Sequence, residues 1–304
     1  MIFTKEIEIF LEEDLKDDDL SCTLVFNKPV NAVIFTKQEC VVSGIEIATA
    51  VLDYLNISYS VKKNPGDCAK PNDVLLELAG DSVAILRAER LVLNFLSRLC
   101  GIATNTRSYV EIVEKSVSTY NIRQKTKTGS PNPSSQTNQT ALPLLPPKIA
   151  ATRKTTPGIR KFEKKAVVDG GGDAHRSNLA DLVMIKDNHI EIMGLENAFW
   201  EAKKKASFSK KIEIEAENPE QALLAASLGA DIVMLDNMTP AQIRKTVSLL
   251  TEKGWRDKIL IEVSGGISKE TLSEYAILGI DVISLSAVTN DAKWVDISLE
   301  IQKK

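Results

Sequence analysis

The chain has 304 residues, of which 43% are hydrophobic, so it can bury a substantial core in one large domain or two ordinary ones. Aromatic residues make up only 5% and the net charge is −3, which argues against base-stacking surfaces and against a general attraction to nucleic acid or membranes. Any site for anions must therefore be built locally.

The sequence predicts a cytoplasmic protein without membrane spans. It contains no run of about 18 apolar residues, the length that a spanning helix requires. Its first residues are acidic and lack the basic-then-apolar order of a signal peptide. The four cysteines are widely spaced, which indicates reduced thiols rather than a metal or redox motif. The two histidines, His175 and His189, are too few for a closed zinc site built on histidine.

Residues 1–117 show the patterns of a mixed α/β domain. Helical periodicity is found in the segments FLEEDL, IEIATAVLDYL and SVAILRAERLVLNFLSRL. Strand-like runs are found in AVIFTK, VVSG, SYSVKK and DVLLELAG. After Gly101 the pattern resumes in IATNTRSYVEIVEKS, which predicts a second amphipathic helix.

Residues 118–147 differ in composition from the rest of the chain. Pro, Ser, Thr, Asn and Gln dominate this segment, and its hydrophobic periodicity disappears. A connection of this length is either functional or disordered. On composition, we predict a polar, disordered insert.

From Lys148 onward, short β-rich runs alternate with helical patterns. The runs are KIAATR, DLVMIK, KIEIEAE, DIVMLD, ILIEVS and DVISLS. Such alternation predicts parallel strands with crossover helices, and the frame Leu-Gly-x-Asp recurs in SLGADIVMLD and ILGIDVISLS. A repeated unit of this kind favours a barrel or an open doubly wound sheet, and no Gly-x-Gly-x-x-Gly motif supports dinucleotide binding. We predict a β/α-barrel catalytic domain over residues 148–304 and leave open whether its last residues pack back on residues 1–117.

A polar or small residue stands at the C-terminal end of each of these predicted strands. The residues are Arg153 and Lys154, Lys186, Glu215, Asp236, Ser264 with Gly265 and Gly266, and Ser286. One or two such ends would mark only the meeting of a strand and a loop. A complete set predicts an active face, because β/α barrels place their sites at the strand C-termini.

Segment 152–188 has a positive balance within a negative chain. It holds eight Lys or Arg residues against five Asp or Glu residues, a net charge of +3. Arginine suits carboxylates and phosphates because its planar fork donates two parallel hydrogen bonds. We therefore favour as ligand-binding residues the cations at strand ends or beside glycines: Arg153, Lys154, Arg176 and Lys186. Lys161, Lys164 and Lys165 lie on a helical stretch and are expected to be solvated.

Three glycines, residues 170–172, precede His175 and Arg176. They either let a ligand approach the backbone closely or form an ordinary turn. His175 has three interpretations: an acid–base group, a group that orients a substrate, or the filling of a polar pocket. His189 is expected to be structural.

Residues 264–266, Ser-Gly-Gly, resemble a phosphate-binding cup. The glycines expose backbone N–H groups before a helix N-terminus, and late barrel loops often hold phosphate, although a capped glycine turn is the simpler interpretation. Glu215 and Asp236 end neighbouring strands, where carboxylates bind Mg²⁺ through water or bind sugar hydroxyls. Pairing with Lys186 or Lys154 is the alternative and does not exclude such a role.

Taken together, these motifs closely resemble the quinolinate phosphoribosyltransferase family. The matching segments are TRKTTPGIRKFEKKAVVDGGGDAHRSNLADLVMIKDNHI, IEIEAENPEQALLAASLGADIVMLDNM, IEVSGGI and AERLVLNFLSRLCGIAT. The resemblance covers nearly all of the chain outside residues 118–147. It implies an α/β fold: an N-terminal α/β sandwich domain and an open, incomplete β/α barrel, assembled as a homodimer.

The resemblance also implies a reaction in NAD biosynthesis. Quinolinate and phosphoribosyl pyrophosphate (PRPP), with Mg²⁺, would give nicotinate mononucleotide, pyrophosphate and CO₂, without a covalent nucleophile. The implied quinolinate-binding residues are Thr152, Arg153, Lys154, His175 and Arg176. Arg90 would reach in from the partner subunit, a role that its own helix does not reveal.

The same resemblance places PRPP on the remaining strand ends. The implied phosphate-binding residues are Lys154, Lys186, Ser264, Gly265, Gly266 and Ser286. Glu215 and Asp236 would hold the ribose hydroxyls and the metal, the latter through water or substrate. The groups implied to take part in catalysis are Lys154, Lys186, Glu215 and Asp236.

Several departures from the family pattern, the insert 118–147 among them, leave alternatives open. Ser286 stands where the family usually has Gly, Asn290 where it has His, and Cys100 where it has Ser, and the turn DLKDDDLSCT lacks the usual glycines. The second interpretation is a paralogue resembling the molybdenum-transport-associated proteins, with another anionic substrate; Lys186 in IKDNH argues against it. The third is a non-catalytic protein that binds nucleotide.

Overall fold

The computed structural model describes residue 2 and residues 4–17, 19–128 and 143–303, without the side chains of residues 127 and 128. The chain divides into two units. Unit 1 comprises Met1–Arg107, Thr155–Gly171 and Val288–Lys304. Unit 2 comprises Ser108–Lys154 and Gly172–Ala287.

Unit 1 contains a four-stranded antiparallel sheet. Its strands, in sheet order, are β12 (Ile297–Ile301), β1 (Pro29–Thr36), β5 (Val74–Asp81) and β3 (Ser58–Val61). Alternate residues of β1 are buried, which gives the period of two that its sequence predicts. The last strand of the chain therefore pairs with the first strand of unit 1.

Shorter elements complete the sheet side of unit 1. A two-stranded ribbon joins β2 (Cys40–Val41) to β4 (Cys68–Ala69), and the sequence did not indicate β4. Helices α1 (Thr4–Leu15) and α2 (Ile45–Tyr54) lie where periodicity predicted them, and a 3₁₀ turn spans Cys22–Leu24.

A buried ion pair lies within unit 1. Arg98 donates to Oε1 of Glu163 at 2.8 Å and to the carbonyl oxygen of Thr289 at 2.9 Å. Glu163 is fully buried on α4 (Arg160–Asp169) and also accepts the backbone N–H of Thr156 at 3.0 Å. The carboxylate is therefore satisfied by several donors, the condition under which a buried charge is tolerated.

Lys164, next to this pair on α4, is buried rather than solvated as predicted. The helix turns several of its residues inward, including Phe162, Ala166 and Val167, and Lys164 lies among these buried positions. Lys161 remains partly exposed and bonds Glu6 at 2.6 Å. The helical pattern alone could not separate these two lysines.

Helix α3 (Ser82–Thr128) is continuous over 47 residues, so the predicted break at Gly101 is wrong. Gly101 is required by packing: a Cβ there would lie 2.1 Å from the carbonyl oxygen of Lys293. The helix also extends into the segment predicted as a loop. There the side-chain amide of Asn121 donates to the carbonyl oxygen of Leu144 and accepts the backbone N–H of Leu144. Residues 129–142 of that predicted insert lie outside the described residues. Among the described helices, none is both long and apolar enough to cross a membrane.

Unit 2 contains a six-stranded parallel sheet, and its strands are the six that the sequence predicted. They are β6 (Lys148–Ala151), β7 (Val183–Ile185), β8 (Ile212–Ala216), β9 (Ile232–Asp236), β10 (Leu260–Ser264) and β11 (Val282–Leu285). The sheet order is β6-β11-β10-β9-β8-β7. The first two strands are thus the two edges, which is the open barrel expected from the sequence.

Helices follow the strands as the alternation predicted. They are α5 (Asp187–Met193), α6 (Leu195–Lys205), α7 (Pro219–Leu228), α8 (Pro240–Glu252), α9 (Leu272–Tyr275) and α10 (Ala287–Asn290), with a 3₁₀ turn at Arg256–Lys258. Helices α7 and α8 begin at Asn218 and Thr239, whose side chains accept hydrogen bonds from the first turn. Proline follows each cap, in the position where a missing N–H costs nothing.

The repeated Leu-Gly-x-Asp frame has a structural explanation. Gly229 and Gly279 both have positive φ, +91° and +75°, and each leads into the next strand. The two aspartates that follow perform the same task. Asp231 accepts the backbone N–H of Ile212, and Asp281 accepts that of Ile261, each at 2.7 Å. Each aspartate therefore fixes the start of the neighbouring strand.

Candidate active site

A cavity of about 660 Å³ lies at the C-terminal ends of the parallel strands in unit 2. Twelve of the predicted site residues line it: Thr152, Arg153, Lys154, His175, Arg176, Lys186, Glu215, Asp236, Ser264, Gly265, Gly266 and Ser286. Arg90 is not a lining residue; it is exposed on α3 in unit 1.

Some lining residues were missed by the sequence reasoning, among them Glu262, Asn237 and Ser284. Strand alternation could have found two of them. Glu262 and Ser264 are two residues apart on β10, and Ser284 and Ser286 are two apart at β11, so each pair faces the same side. Reading only the last residue of each strand overlooked this second layer.

Lys186 and Glu215 form an ion pair across neighbouring strands, with Nζ 2.6 Å from Oε2. Lys186 follows β7 directly, and its backbone N–H donates to Nδ1 of His189 at 3.0 Å. His189 therefore closes the first turn of α5, in keeping with the structural role predicted for it. The lysine is left partly exposed, with 42% of its side chain accessible, so it can still reach an anion.

Asp236 lies beside Glu215 in an environment that disfavours its negative charge. Burial raises the pKa of the Asp236 carboxyl, and the negative charge of Glu215 raises it further, while Lys186 and Lys154 oppose both effects. Asn237 donates to Oδ2 of Asp236 at 2.6 Å. A cation or a hydroxyl donor placed between the two carboxylates would relieve this repulsion.

The Ser-Gly-Gly segment forms a tight turn in which the two glycines differ. Gly265 has φ +90°, and a Cβ there would lie 2.1 Å from Oδ1 of Asn237. Gly266 has φ +62°, and a Cβ there would meet nothing within 4 Å. Gly265 is thus required by packing, and Gly266 leaves open space beside the cavity.

The triple glycine is explained largely by packing. A Cβ on Gly170 would lie 2.4 Å from the carbonyl oxygen of Ala103 on α3, and Gly171 has φ +92°. The carbonyl oxygen of Gly170 also accepts from Arg107 at 3.0 Å. None of residues 170–172 lines the cavity, which favours the turn over a close approach to a ligand.

His175 adopts a left-handed backbone conformation, with φ +50°. Its N–H donates to Oδ1 of Asp173 at 2.7 Å, and its Nε2 lies 3.5 Å from Oε1 of Glu262. Non-glycine residues rarely adopt this conformation, which costs roughly 1–2 kcal/mol. The side chain is held at the cavity by contacts on both its backbone and its ring.

Charge is concentrated in the barrel interior below His175. Burial raises the pKa of Glu213 to about 8, and the negative charge of Glu262 adds to this effect. Burial also lowers the pKa of Arg176, and the positive charge of Arg153 adds to that effect, while the interior glutamates oppose it. Cations and carboxylates are therefore arranged in two interacting layers.

The departures noted in the sequence have distinct environments. Ser286 lines the cavity. Asn290 ends α10, where its Oδ1 accepts from the hydroxyl of Thr289 at 3.4 Å. Cys100 is buried in unit 1, and its sulfur accepts the backbone N–H of Ser43 at 3.3 Å, a bond that a serine hydroxyl could equally accept.

Two family models match most of the chain. The model described as "Quinolinate phosphoribosyl transferase, N-terminal domain" matches residues 19–100, and the corresponding C-terminal domain model matches residues 135–300. The chain is 41% identical over 282 residues to the probable carboxylating nicotinate-nucleotide pyrophosphorylase of Archaeoglobus fulgidus, covering 92% of this chain and 97% of the relative. It is 31% identical to the carboxylating nicotinate-nucleotide pyrophosphorylase of Homo sapiens, covering 98% and 91%.

Solved structures of similar proteins share the fold. The nicotinate-nucleotide pyrophosphorylase of Ehrlichia chaffeensis superposes with a TM-score of 0.83 at 32% identity, covering 99% of each chain. The enzyme of the same name from Francisella tularensis gives a TM-score of 0.82 at 32% identity, covering 98% of this chain and 95% of that one. The likeness therefore extends over both units.

Proposed function

Because the chain belongs to the quinolinate phosphoribosyltransferase family, we propose that it converts quinolinate and PRPP to nicotinate mononucleotide, pyrophosphate and CO₂. One observation carries this proposal: a single cavity brings together four cations and two carboxylates from the C-terminal ends of separate strands and from the loop before β7. They are Arg153, Lys154, Arg176, Lys186, Glu215 and Asp236. Both substrates are polyanions, and a net-negative chain can attract them only by such a local concentration of cations.

The quinolinate subsite is proposed at Thr152, Arg153, Lys154, His175 and Arg176. Quinolinate carries two adjacent carboxylates, and two arginines beside each other suit such a ligand because each guanidinium can bind a carboxylate with two hydrogen bonds. The mutual repulsion of Arg153 and Arg176 supports this assignment, since a dianion bound between them would remove it.

The PRPP subsite is proposed on the later strands. Lys186 and Lys154 would contact the phosphates and neutralise pyrophosphate as it leaves. Residues 264–266 and Ser286 would hold the 5′-phosphate, and the open space at Gly266 lets an anion approach the backbone N–H groups. Glu215 and Asp236 would accept hydrogen bonds from the ribose hydroxyls.

The donor set at Glu215 and Asp236 also fits Mg²⁺. This ion prefers oxygen ligands and usually retains water, which suits two carboxylates that bind it through water or substrate. The raised pKa of Asp236 fits too, because it results from burial and from an adjacent negative charge. When bound, Mg²⁺ would supply positive charge to the pyrophosphate of the substrate.

The proposed chemistry has two steps. The pyridine nitrogen of quinolinate forms a bond to C1 of the ribose, and the bond from C1 to pyrophosphate breaks with its electron pair leaving on pyrophosphate. The pyridinium then accepts the electron pair of the bond to the adjacent carboxylate, which departs as CO₂, and a proton replaces it. The residues of the chain act by orienting the two substrates and by stabilising the leaving charge.

The homodimer, with Arg90 donated by the partner subunit, belongs to this proposal as an inference from family membership. Arg90 is exposed on α3, so it is available to another chain. A cytoplasmic location likewise remains a prediction from the sequence.

The proposal is tested by comparing two pyridine substrates. Purified protein with PRPP and Mg²⁺ should form nicotinate mononucleotide from quinolinate and little or none from nicotinate, because two arginines require two carboxylates. Chromatography of the nucleotide products measures both. Equal activity on nicotinate would contradict the quinolinate subsite, and no product from either substrate would favour the paralogue with another anionic substrate.

A further inference from the structure

Two glutamates lie inside the barrel of unit 2, one layer below the strand ends. Glu213 stands two residues before Glu215 on β8, and Glu262 stands two residues before Ser264 on β10. Side chains two apart on a strand face the same side of the sheet. Because Glu215 and Ser264 line the cavity, Glu213 and Glu262 face the same side of the sheet, and Glu262 is itself part of the cavity lining.

Both glutamates are buried and poorly supplied with hydrogen bonds. Glu213 is 0% exposed and Glu262 is 1% exposed. Among the described residues, neither carboxylate oxygen of Glu213 and not Oε1 of Glu262 has a hydrogen-bond partner. A buried carboxylate destabilises the folded state unless positive charge or hydrogen bonds compensate it. The groups that surround these two glutamates therefore matter for their burial.

His175 contacts one of these two glutamates. Its Nε2 lies 3.5 Å from Oε1 of Glu262, and only 14% of its side chain is accessible. One ring nitrogen of His175 and one carboxylate oxygen of each glutamate all lie within 4.8 Å of one another. The negative charges of both glutamates also act on Arg176. Two residues of the proposed quinolinate subsite, His175 and Arg176, thus interact with these interior glutamates.

The backbone conformation of His175 indicates that the position of its side chain is functionally constrained. Its left-handed φ of +50° is unfavourable for a residue with a Cβ and is held by the bond to Asp173. Strain of this kind persists where surrounding structure imposes a functional side-chain position. The backbone sets the origin of the side chain, and the contact at Nε2 restricts the position of the ring.

We infer that Glu262 is a positioning residue that holds the imidazole of His175 toward the substrate, and that Glu213 lies beside both groups in the barrel interior. The inference rests on the proposed function, since it assigns His175 to quinolinate. A metal ion held by the same three residues is the competing account. The positive charges already beside Glu213, on Arg176 and Lys186, argue against it because they would repel a divalent cation.

The contact can be observed without turnover, because the chain contains only two histidines. In ¹⁵N-histidine-labelled protein, Glu262→Gln should shift the imidazole signals of one histidine and leave the other unchanged. A His189→Gln variant assigns the two sets of signals. Unchanged His175 signals in Glu262→Gln would overturn the inference, whether or not the protein is active.

Kinetics test the consequence for the substrate. Glu262→Gln should raise the KM for quinolinate roughly tenfold, because the imidazole loses its electrostatic contact with a carboxylate, and leave the KM for PRPP within about twofold. Glu262→Ala should have a larger effect, because glutamine retains an oxygen at the same position. The matched control is Asp281→Asn, which removes an ion pair with Arg256 and a strand cap away from the cavity. It should lower thermal stability and change neither KM.

The outcomes are distinguishable. If wild-type protein is inactive on quinolinate, the proposed function is wrong. The imidazole signals would still test the contact between His175 and Glu262. Active wild-type protein with equal quinolinate KM in Glu262→Gln would overturn the positioning role alone. Stoichiometric Mn²⁺ or Zn²⁺ binding that is lost in Glu262→Gln but retained in Asp236→Asn would replace the inference with an interior metal site.

Discussion

At the scale of single residues, the cavity is formed by polar side chains from separate strands, and Lys186 and His175 each contact a carboxylate there. The polar residues at the strand ends lie together, as barrel geometry requires. The 3.5 Å approach of His175 to Glu262 could not be predicted in the same way, because it depends on a contact between segments far apart in sequence.

The two glycines of the cup should respond differently to substitution. Gly265→Ala places a Cβ 2.1 Å from Oδ1 of Asn237 at positive φ, so we expect a loss of at least about 2 kcal/mol in unfolding free energy and weakened PRPP binding. Gly266→Ala should cost only about 1 kcal/mol, the penalty of the left-handed backbone alone. Urea unfolding measures both, and equal losses would contradict the packing role of Gly265.

Lys186 should be needed for the transfer step. Removing its ammonium in Lys186→Ala leaves Glu215 without its 2.6 Å partner and removes a positive charge from the leaving pyrophosphate. We expect kcat to fall by roughly 10²–10³. Steady-state kinetics check this against Lys161→Ala, whose lysine pairs with Glu6 on the surface and should leave kcat unchanged. A Lys186→Ala enzyme of wild-type kcat would remove the lysine from catalysis.

At the scale of elements, the strands were easier to predict than the long helix. Six apolar runs separated by helical patterns identified all six parallel strands, because buried parallel strands are nearly continuous in hydrophobicity. Helix α3 was predicted with a break, because a glycine in a helical pattern suggests an end. The glycine is present because the backbone of Lys293 approaches Gly101 closely. These residues are almost 200 positions apart, so the contact leaves no local signal in the sequence.

Helix propensity and packing predict opposite effects of Gly101→Ala on the free energy of unfolding. Alanine is the better helix former by about 1 kcal/mol, so an isolated helix would be stabilised. A Cβ placed 2.1 Å from the carbonyl oxygen of Lys293 must displace backbone, and we expect a net loss of about 1–3 kcal/mol. Thermal or urea unfolding measures the sign, and a stabilised Gly101→Ala protein would show that the close approach is not maintained in solution.

At the scale of the whole molecule, the proposal that Arg90 acts in a partner's site comes from family membership and not from the single chain. The fold and the lining of the cavity follow from a single chain, whereas the role proposed for Arg90 requires a second one. No local pattern in α3 distinguishes Arg90 from an ordinary exposed arginine. The family resemblance therefore contributed this proposed role, and the alternation of strand and helix patterns contributed the parallel sheet.

Subunit mixing tests the donated arginine. Arg90→Ala and Lys154→Ala homodimers should each be inactive, because every site lacks one group. Random mixing makes half of the dimers heterodimers, each with one intact site, so activity should return to about a quarter of the wild-type value. Activity measurements after unfolding and refolding the mixture check this. No recovery in a mixture shown to contain heterodimers would contradict a site shared between subunits.

The central claim is a phosphoribosyl transfer coupled to decarboxylation, and its most direct test is the stoichiometry of products. Quinolinate labelled at the carboxylate adjacent to the ring nitrogen should release one labelled CO₂ for each pyrophosphate and each nicotinate mononucleotide formed, with PRPP and Mg²⁺ present. Release should cease when PRPP is omitted, because decarboxylation requires the pyridinium. Pyrophosphate release without labelled CO₂, or no turnover at high enzyme concentration, would contradict the account.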